Sequence, residues 1–406
     1  MDKKELRAKA MHLIILFGLV SLFGDIIYEG ARSVNGPYLK TLGANAVLVG
    51  FIVGIGEFLG YAIRLVSGYF SDKTKAYWIF TFVGYGLLIS VPLLSLAGVW
   101  QIAALFMVTE RIGKALRSPA RDTIVSQAAK QVGTGFGFGL SEVMDQIGAL
   151  TGPLIFSALF FLTGAGQKSV ADYQKGYGFF WVPLALLIIC VTVAYRKVPH
   201  PELLEDTLPL TPAPDTLSRT FWLYTLFTFI TTAGFVNFAL MGYHYKAMHL
   251  ISDAEIPLLY TIAMAVDGAV ALGIGKAYDV LKQKSRGNNG GLAVLIVIPL
   301  CSLFIPLLAF SRVHAVIVVS AVIWGVVMGA HETIMKSAIA DITPLKKRGT
   351  GYGVFNTSYG LACFAGSVGM GFLYEHSLTI LSMAAILLQI TAVFVFFIMR
   401  REAARF

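Results

Sequence analysis

The sequence predicts an all-α membrane protein with twelve transmembrane helices arranged as two pseudo-symmetric six-helix bundles. Three observations predict it: scarce charge, apolar runs of membrane length, and an internal repeat of half the chain. Of 406 residues, 56% are hydrophobic and 14% charged. A soluble chain of this size divides into domains whose surfaces need about a quarter of their residues charged. Here the apolar residues lie in runs such as 78–99, 176–195 and 292–310. Runs of roughly 18 or more match a hydrocarbon slab of about 30 Å at 1.5 Å per residue.

In chain order the hydropathy pattern predicts spans at 11–36, 47–70, 78–97, 100–121, 134–163 and 176–195. A second set follows at 218–244, 256–279, 291–311, 314–341, 350–376 and 378–399. Between the sets, residues 196–217 hold Pro199, Pro201, Pro209, Pro212 and Pro214 and read as a linker, since proline breaks helices. The predicted units are therefore a bundle over 1–195, a cytoplasmic linker over 196–217 and a second bundle over 218–406.

Lys3, Lys4, Arg7 and Lys9 precede the first span, and most of the 32 Lys and Arg fall in the tails and loops on that same side. By the positive-inside rule both termini face the cytoplasm, in a multi-pass protein of the inner or plasma membrane. Topology then accounts for the net charge of +9, and a nucleic-acid partner is not expected. The first apolar run continues through Asp25 and Glu29 without a small-residue cleavage site, so it reads as a retained span and not a secretion signal. Cys190, Cys301 and Cys363 lie within spans as small apolar residues.

The repeat shows in two motif pairs. Gly133-Thr134-Gly135-Phe136-Gly137 opens the fifth span and Gly349-Thr350-Gly351-Tyr352-Gly353 the eleventh, 216 residues on. Gly68-x-x-x-Asp72 closes the second span and Gly275-x-x-x-Asp279 the eighth, 207 residues on. Parallel six-helix repeats place substrate near the midplane between halves that rock against each other.

With this organisation the chain resembles a major facilitator superfamily permease, and the likeness extends over essentially its whole length. It is closest to a broad, mostly uncharacterised prokaryotic group that carries a string similar to Glu110–Asp122. The resemblance implies a cytoplasmic gate at Gly68-Tyr69-Phe70-Ser71-Asp72-Lys73-Thr74-Lys75, with Asp72 facing the start of the eleventh span and Arg117 or Arg121. Lys75-Ala76 stands where the family carries Gly-Arg. Gly68, Asp72, Lys73, Arg117, Arg121 and Asp279 are the gate residues so implied. In the fifth span, Gly139, Gly148 and Gly152-Pro153 resemble the family's antiporter spacing, although Phe156-Ser157 replaces its final two glycines. Arg111 is the nearest match to an arginine that assists proton transfer in this family.

Charges inside spans carry most weight, because each costs a few kcal/mol near the bilayer centre on insertion scales. Asp25, Glu29 and Arg32 fall on one face of the first span, beside Tyr28. A carboxylate in a low-dielectric site has its pKa raised, which suits a reversible proton carrier, and a nearby arginine lowers it again. Proton coupling is therefore expected at Asp25, Glu29, Arg32 and Asp145; a static set of buried ion pairs is the competing reading. In the fourth span Glu110 is spaced to pair with Lys114, and Arg117 and Arg121 are expected to reach cytoplasmic water; bracing of the gate is the alternative role for this string.

Candidate cavity residues are Tyr28, Arg64, Glu110 and Glu142 in the first half. The second half supplies Asn237, Asp267, His331, Glu332, Lys336 and Asn356. His331 reads either as a group titrating near physiological pH or as a hydrogen-bonded core histidine.

No phosphate-cradling Gly-Lys-Ser/Thr loop, metal-site spacing or nucleophile triad is legible, so neither an enzyme nor a cofactor is expected. The expected partners are a small-molecule substrate, protons and the lipid bilayer, for a chain that acts as a monomer. The expected function is a proton-coupled antiporter that expels a small organic solute. A symporter or uniporter for an anionic metabolite is the alternative.

Overall fold

A computed structural model describes residues 3–164, 166–201, 217–284, 290–343 and 348–403. The proline-rich stretch 202–216, most of the expected linker, lies outside them, as do the side chains of Thr134, Gly135, Phe136 and Lys336.

The secondary structure among these residues is helical throughout, in twelve spans. The first six are α1 (Lys3–Thr41), α2 (Ala46–Thr74), α3 (Tyr77–Leu96), α4 (Trp100–Val132), α5 (Thr134–Leu162) and α6 (Val170–Lys197). The second six are α7 (Arg219–Ala247), α8 (Glu255–Lys284), α9 (Gly290–Ala309), α10 (His314–Ile342), α11 (Arg348–His376) and α12 (Leu378–Ala403). Ten of them are long and apolar enough to cross a membrane on length and composition. The other two are α4, interrupted by Glu110, Arg111, Lys114, Arg117, Arg121 and Asp122, and α11, diluted by glycine and hydroxyl side chains.

Three spans depart from the hydropathy reading. α4 runs to Val132, about three turns past its expected end, because Ala120, Ile124, Val125, Ala128 and Ala129 continue a buried apolar face there. α6 starts at Val170, ahead of the apolar run, because Ser169 and Asp172 form a capping box there. α7 is broken: its first part ends at Gly234, and Asn237 caps the second by accepting the Leu240 N–H at 2.9 Å. The four orphan N–H groups of a new helix start need such a cap.

The chain forms two compact units. The first comprises residues 1–43, 59–210 and 252–258; the second comprises 44–58, 211–251 and 259–406. In the first, α1 is the central element and packs on α4, α5 and α6. Its buried stripe of Leu13, Phe17, Val20, Ile27, Tyr28, Ala31 and Tyr38 follows helical spacing. The α1–α5 contact is a backbone approach: Cβ atoms at Gly148 and Gly152 would come within 2.5 Å and 2.3 Å of the Leu22 and Ile26 carbonyl oxygens. Small residues permit this approach, which dispersion then stabilises. In the second unit α7 packs on α11 and α12, and α9 on α10. Trp324, fully buried, stacks on Phe235 and donates its indole N–H to the Val236 carbonyl at 3.1 Å, so the α7 break is also held by α10.

Candidate functional site

The first unit gathers its intramembrane charges around α1. Tyr28 is the hub. Its hydroxyl accepts a hydrogen bond from Arg111 Nη1 and a longer one from Arg32 Nη1 at 3.3 Å. Lys114 Nζ stands 3.5 Å from the Tyr28 ring centroid, and the Arg111 guanidinium carbon 4.7 Å. Cations over an aromatic face are attracted by its quadrupole, more strongly where water is excluded. Two carboxylates balance these cations at longer range. Glu29 Oε1 lies 3.8 Å from Arg32 Nη1, and Glu110 Oε2 lies 3.6 Å from Arg111 Nε. A small cleft opens at this point, lined by Tyr28, Arg32, Asn35, Glu110 and Arg111 with Val91, Leu94 and Met107 as apolar wall.

One to two turns towards the chain's N-terminal end of α1 lies a second group. Arg121 Nη2 donates to Ser21 Oγ at 2.5 Å and stands 3.6 Å from Asp145 Oδ2. Asp25 sits between the two groups, in the field of Asp145, Lys114, Glu29 and Arg121, with its Cβ against Gly148. The close α1–α5 approach thus sets how far Asp25 stands from Asp145.

The stripe of Asp25, Glu29 and Arg32 and the charges of α4 and α5 are therefore brought together, but with different pairings from those the spacing predicts. Glu110 meets Arg111, not Lys114, whose ammonium is taken by the Tyr28 ring. Arg117 does not reach water: it is 5% exposed, with its guanidinium 4.8 Å from the Tyr85 ring, in a notch opened by Gly84. Arg121 is likewise held by Asp145 and Ser21, so neither arginine forms the expected pair with Asp72. Asp72 Oδ1 instead accepts the Tyr77 hydroxyl at 3.4 Å, and Lys75 Nζ donates to the same hydroxyl at 3.4 Å. Gly68 faces Pro119, and the exposed Lys73 lies 5.7 Å from the Tyr69 ring centroid. Lys75 has φ of 55°, so the position where the family carries glycine keeps the left-handed backbone with a side chain present.

Other candidates separate. The Arg64 guanidinium lies over the Tyr61 ring at 4.9 Å, and Glu142 is exposed. Within the antiporter-like pattern Gly148, Gly152 and the buried Pro153 lie in the α1 interface region, whereas a Cβ at Gly139 would meet nothing within 4 Å.

In the second unit, Thr231, Thr232, Phe235, Ile298, Val327, Met328, His331 and Tyr359 line a small apolar cavity. His331 is buried; its Nε2 lies 3.4 Å from Thr232 Oγ1 and its ring 5.3 Å from that of Tyr359. This is the hydrogen-bonded core alternative. Asn237 is not an open cavity group: besides its cap it donates from Nδ2 to Ser367 Oγ at 3.2 Å. Asp267 is buried against Gly329, Asn356 is half-buried, and Glu332 and Asp279 are exposed. The Lys336 side chain lies outside the described residues.

Sequence reasoning missed Ser21 and Asn35 as parts of the site, and named Lys114 only as a partner for Glu110. Asn35 accepts the Tyr177 hydroxyl at 2.9 Å. Ser21 lies one turn before Asp25, and Asn35 one turn after Arg32, so extending the α1 stripe in both directions finds them.

The Major Facilitator Superfamily model matches residues 14–367 and 222–405. An uncharacterised protein of Mycobacterium tuberculosis is 35% identical over 397 residues, covering 96% of this chain and 93% of its own. An uncharacterised MFS-type transporter of Methanocaldococcus jannaschii is 25% identical over 376 residues, covering 90% and 89%. Among solved structures, a mutant of the nucleoside transporter NupG superposes with a TM-score of 0.72 at 13% identity, over 95% of this chain and 99% of that one. A POT family transporter in complex with a thioalcohol-conjugated peptide gives 0.72 at 13% identity, over 95% and 94%. Fold, membrane-length helices and family match agree: the chain belongs to the major facilitator superfamily, as a multi-pass secondary transporter rather than an enzyme.

Proposed function

We propose that the protein is a proton-coupled antiporter that expels a small polar organic solute by alternating access. The observation that carries this reading is the placement of Asp25 and Glu29 on α1 among Arg32, Lys114 and Arg121, with Asp145 facing from α5. A carboxylate that keeps a cation beside it stays charged; one that loses it in a low-dielectric site takes up a proton. Movement of α1 against α4 and α5 changes those distances, and so couples protonation to conformation. The antiport direction rests on the Gly148 and Gly152-Pro153 packing, which ties α5 to the helix bearing the carboxylates. Both termini are assigned to the cytoplasm of the cell that carries it, and the acting unit is the monomer.

One observation favours a second reading. Arg32, Arg111 and Lys114 converge on the cleft at Tyr28, which suits an anionic group on the solute, so a symporter or uniporter of an anionic metabolite is its alternative.

Proteoliposomes holding a pH-sensitive dye separate these readings. Solute-triggered proton flux that Glu29→Gln abolishes supports coupling. Solute expelled against an imposed pH gradient supports antiport, and accumulation supports symport. Solute flux without proton movement would leave a uniporter braced by buried ion pairs.

A further inference from the structure

We propose that the cleft at Tyr28 binds a small zwitterion of the amino-acid class, with Glu110 receiving its ammonium and Arg32 its carboxylate. The inference rests on the transport reading above and names the substrate class of that same cleft.

Glu110 is 5% exposed on α4, yet its carboxylate accepts no hydrogen bond from the described residues. Its Oε2 lies 3.6 Å from Arg111 Nε, beyond hydrogen-bonding reach, and its Oε1 is buried without a donor. An ionised carboxylate offers about four acceptor positions, and burying one with none of them filled is costly. The nearby cations are turned to Tyr28 instead. Arg111 Nη1 donates to the Tyr28 hydroxyl, and the Lys114 ammonium stands 3.5 Å from the centre of that ring. Glu110 is thus held by charge at a distance, and a donor brought by the solute completes it. An ammonium suits this place, because a charge-assisted bond is about twice as strong as a neutral one.

Arg32 lines the same cleft from α1, with 26% of its side chain exposed. Its Nη1 contacts are long, 3.3 Å to the Tyr28 hydroxyl and 3.8 Å to Glu29 Oε1. The guanidinium fork carries five N–H groups in a plane that matches a carboxylate two bonds at a time. Asn35 follows three residues on, where helical spacing puts it on the same face. Its Oδ1 is taken by the Tyr177 hydroxyl, which leaves its Nδ2 to donate at the cleft.

Opposite charges therefore face one cleft from two helices, a carboxylate on α4 and a guanidinium on α1. Val91, Leu94 and Met107 add an apolar wall. An α-amino acid presents the complementary set: ammonium and carboxylate on one carbon, and a side chain for the wall. A simple anion would leave Glu110 Oε1 without a donor and bring a second negative charge beside it. In this structure the cleft is contracted to about 10 Å³, room for one water. The solute enters as α1 moves against α4, the motion on which the coupling above depends.

Binding to the purified protein in detergent tests the site without gradients or flux. Equilibrium dialysis compares L-valine with N-acetyl-L-valine, which keeps only the carboxylate, and with valinamide, which keeps only the ammonium. L-Valine is expected to bind about tenfold more tightly than either, since each derivative loses one charge-assisted bond. Glu110→Gln is expected to erase the preference over N-acetyl-L-valine, and Arg32→Gln the preference over valinamide. The assignment is overturned if N-acetyl-L-valine binds as tightly as L-valine, or if the preference survives Glu110→Gln. It is also overturned if none of glycine, L-alanine, L-valine and L-leucine binds at millimolar concentration. Should Glu110→Gln not fold, Glu110→Asp draws the carboxylate back by one methylene and is expected to weaken L-valine while sparing N-acetyl-L-valine; equal effects on both overturn the assignment. L-Valine bound but not moved in proteoliposomes counts against the transport reading alone. Proton-coupled flux of N-acetyl-L-valine, with L-valine neither bound nor moved, counts against the zwitterion alone.

Discussion

At the scale of single residues, Tyr28 organises the charges around it. Arg111 and Arg32 donate to its hydroxyl while Lys114 rests on its ring, so one neutral side chain holds three cations beside two carboxylates. Tyr28→Phe keeps the ring and removes the acceptor. Solute flux is expected to fall by about tenfold or more, and the melting temperature to drop, because a hydrogen bond to a charged group contributes about 1.5–3 kcal/mol to stability. Equal flux in Tyr28→Phe would show that the hydroxyl does not position the arginines. Arg121 and Asp145 are in direct contact, so a double-mutant cycle with Arg121→Gln and Asp145→Asn should give a coupling of about 1 kcal/mol in stability. Additive effects would mean the 3.6 Å contact carries no energy. Lys75 keeps a left-handed backbone with φ of 55°. Lys75→Gly removes a steric cost of about 1–2 kcal/mol, so the glycine variant is expected to melt at a higher temperature.

At the scale of elements, the α1–α5 interface decides where the carboxylates stand. Its glycines were legible as a spaced pattern, but the pattern did not say which helix they meet. The structure gives α1 as that partner and removes Gly139 from the contact, since a Cβ there would touch nothing. Gly152→Ala is expected to destabilise the protein by about 1–3 kcal/mol in thermal unfolding, whereas Gly139→Ala should leave it unchanged or slightly stabilised. Equal effects at the two positions would contradict the packing. The α7 break was not legible, because hydropathy runs unbroken across 234–237 and a lone Asn reads as a cavity group. Its side chain turns out to be spent on the Leu240 N–H and Ser367.

At the scale of the whole molecule, the topology depends on the helices that hydropathy favours least. α4 carries seven charged residues and falls outside the ten strongly apolar spans, yet the alternation of the chain requires it to cross. Gly98→Cys should therefore react with an impermeant reagent on one face of the membrane only. Gln131→Cys should react on the other face only. Reaction of both from the same side would remove α4 as a span and invert everything after it.

The sequence by itself determined the membrane class, the twelve spans and the repeat, because burial of apolar length and the periodicity of glycines are local or periodic signals. It also marked the α1 stripe, since charges inside an apolar run are conspicuous wherever they point. Only the tertiary structure decided the pairings: Arg111 on Tyr28, Arg121 on Asp145, and Arg117 on Tyr85. Helical spacing lists what lies on one face of one helix. Which charge meets which is fixed by the approach of neighbouring helices, and here backbone contacts at Gly148, Gly152 and Gly84 set that approach.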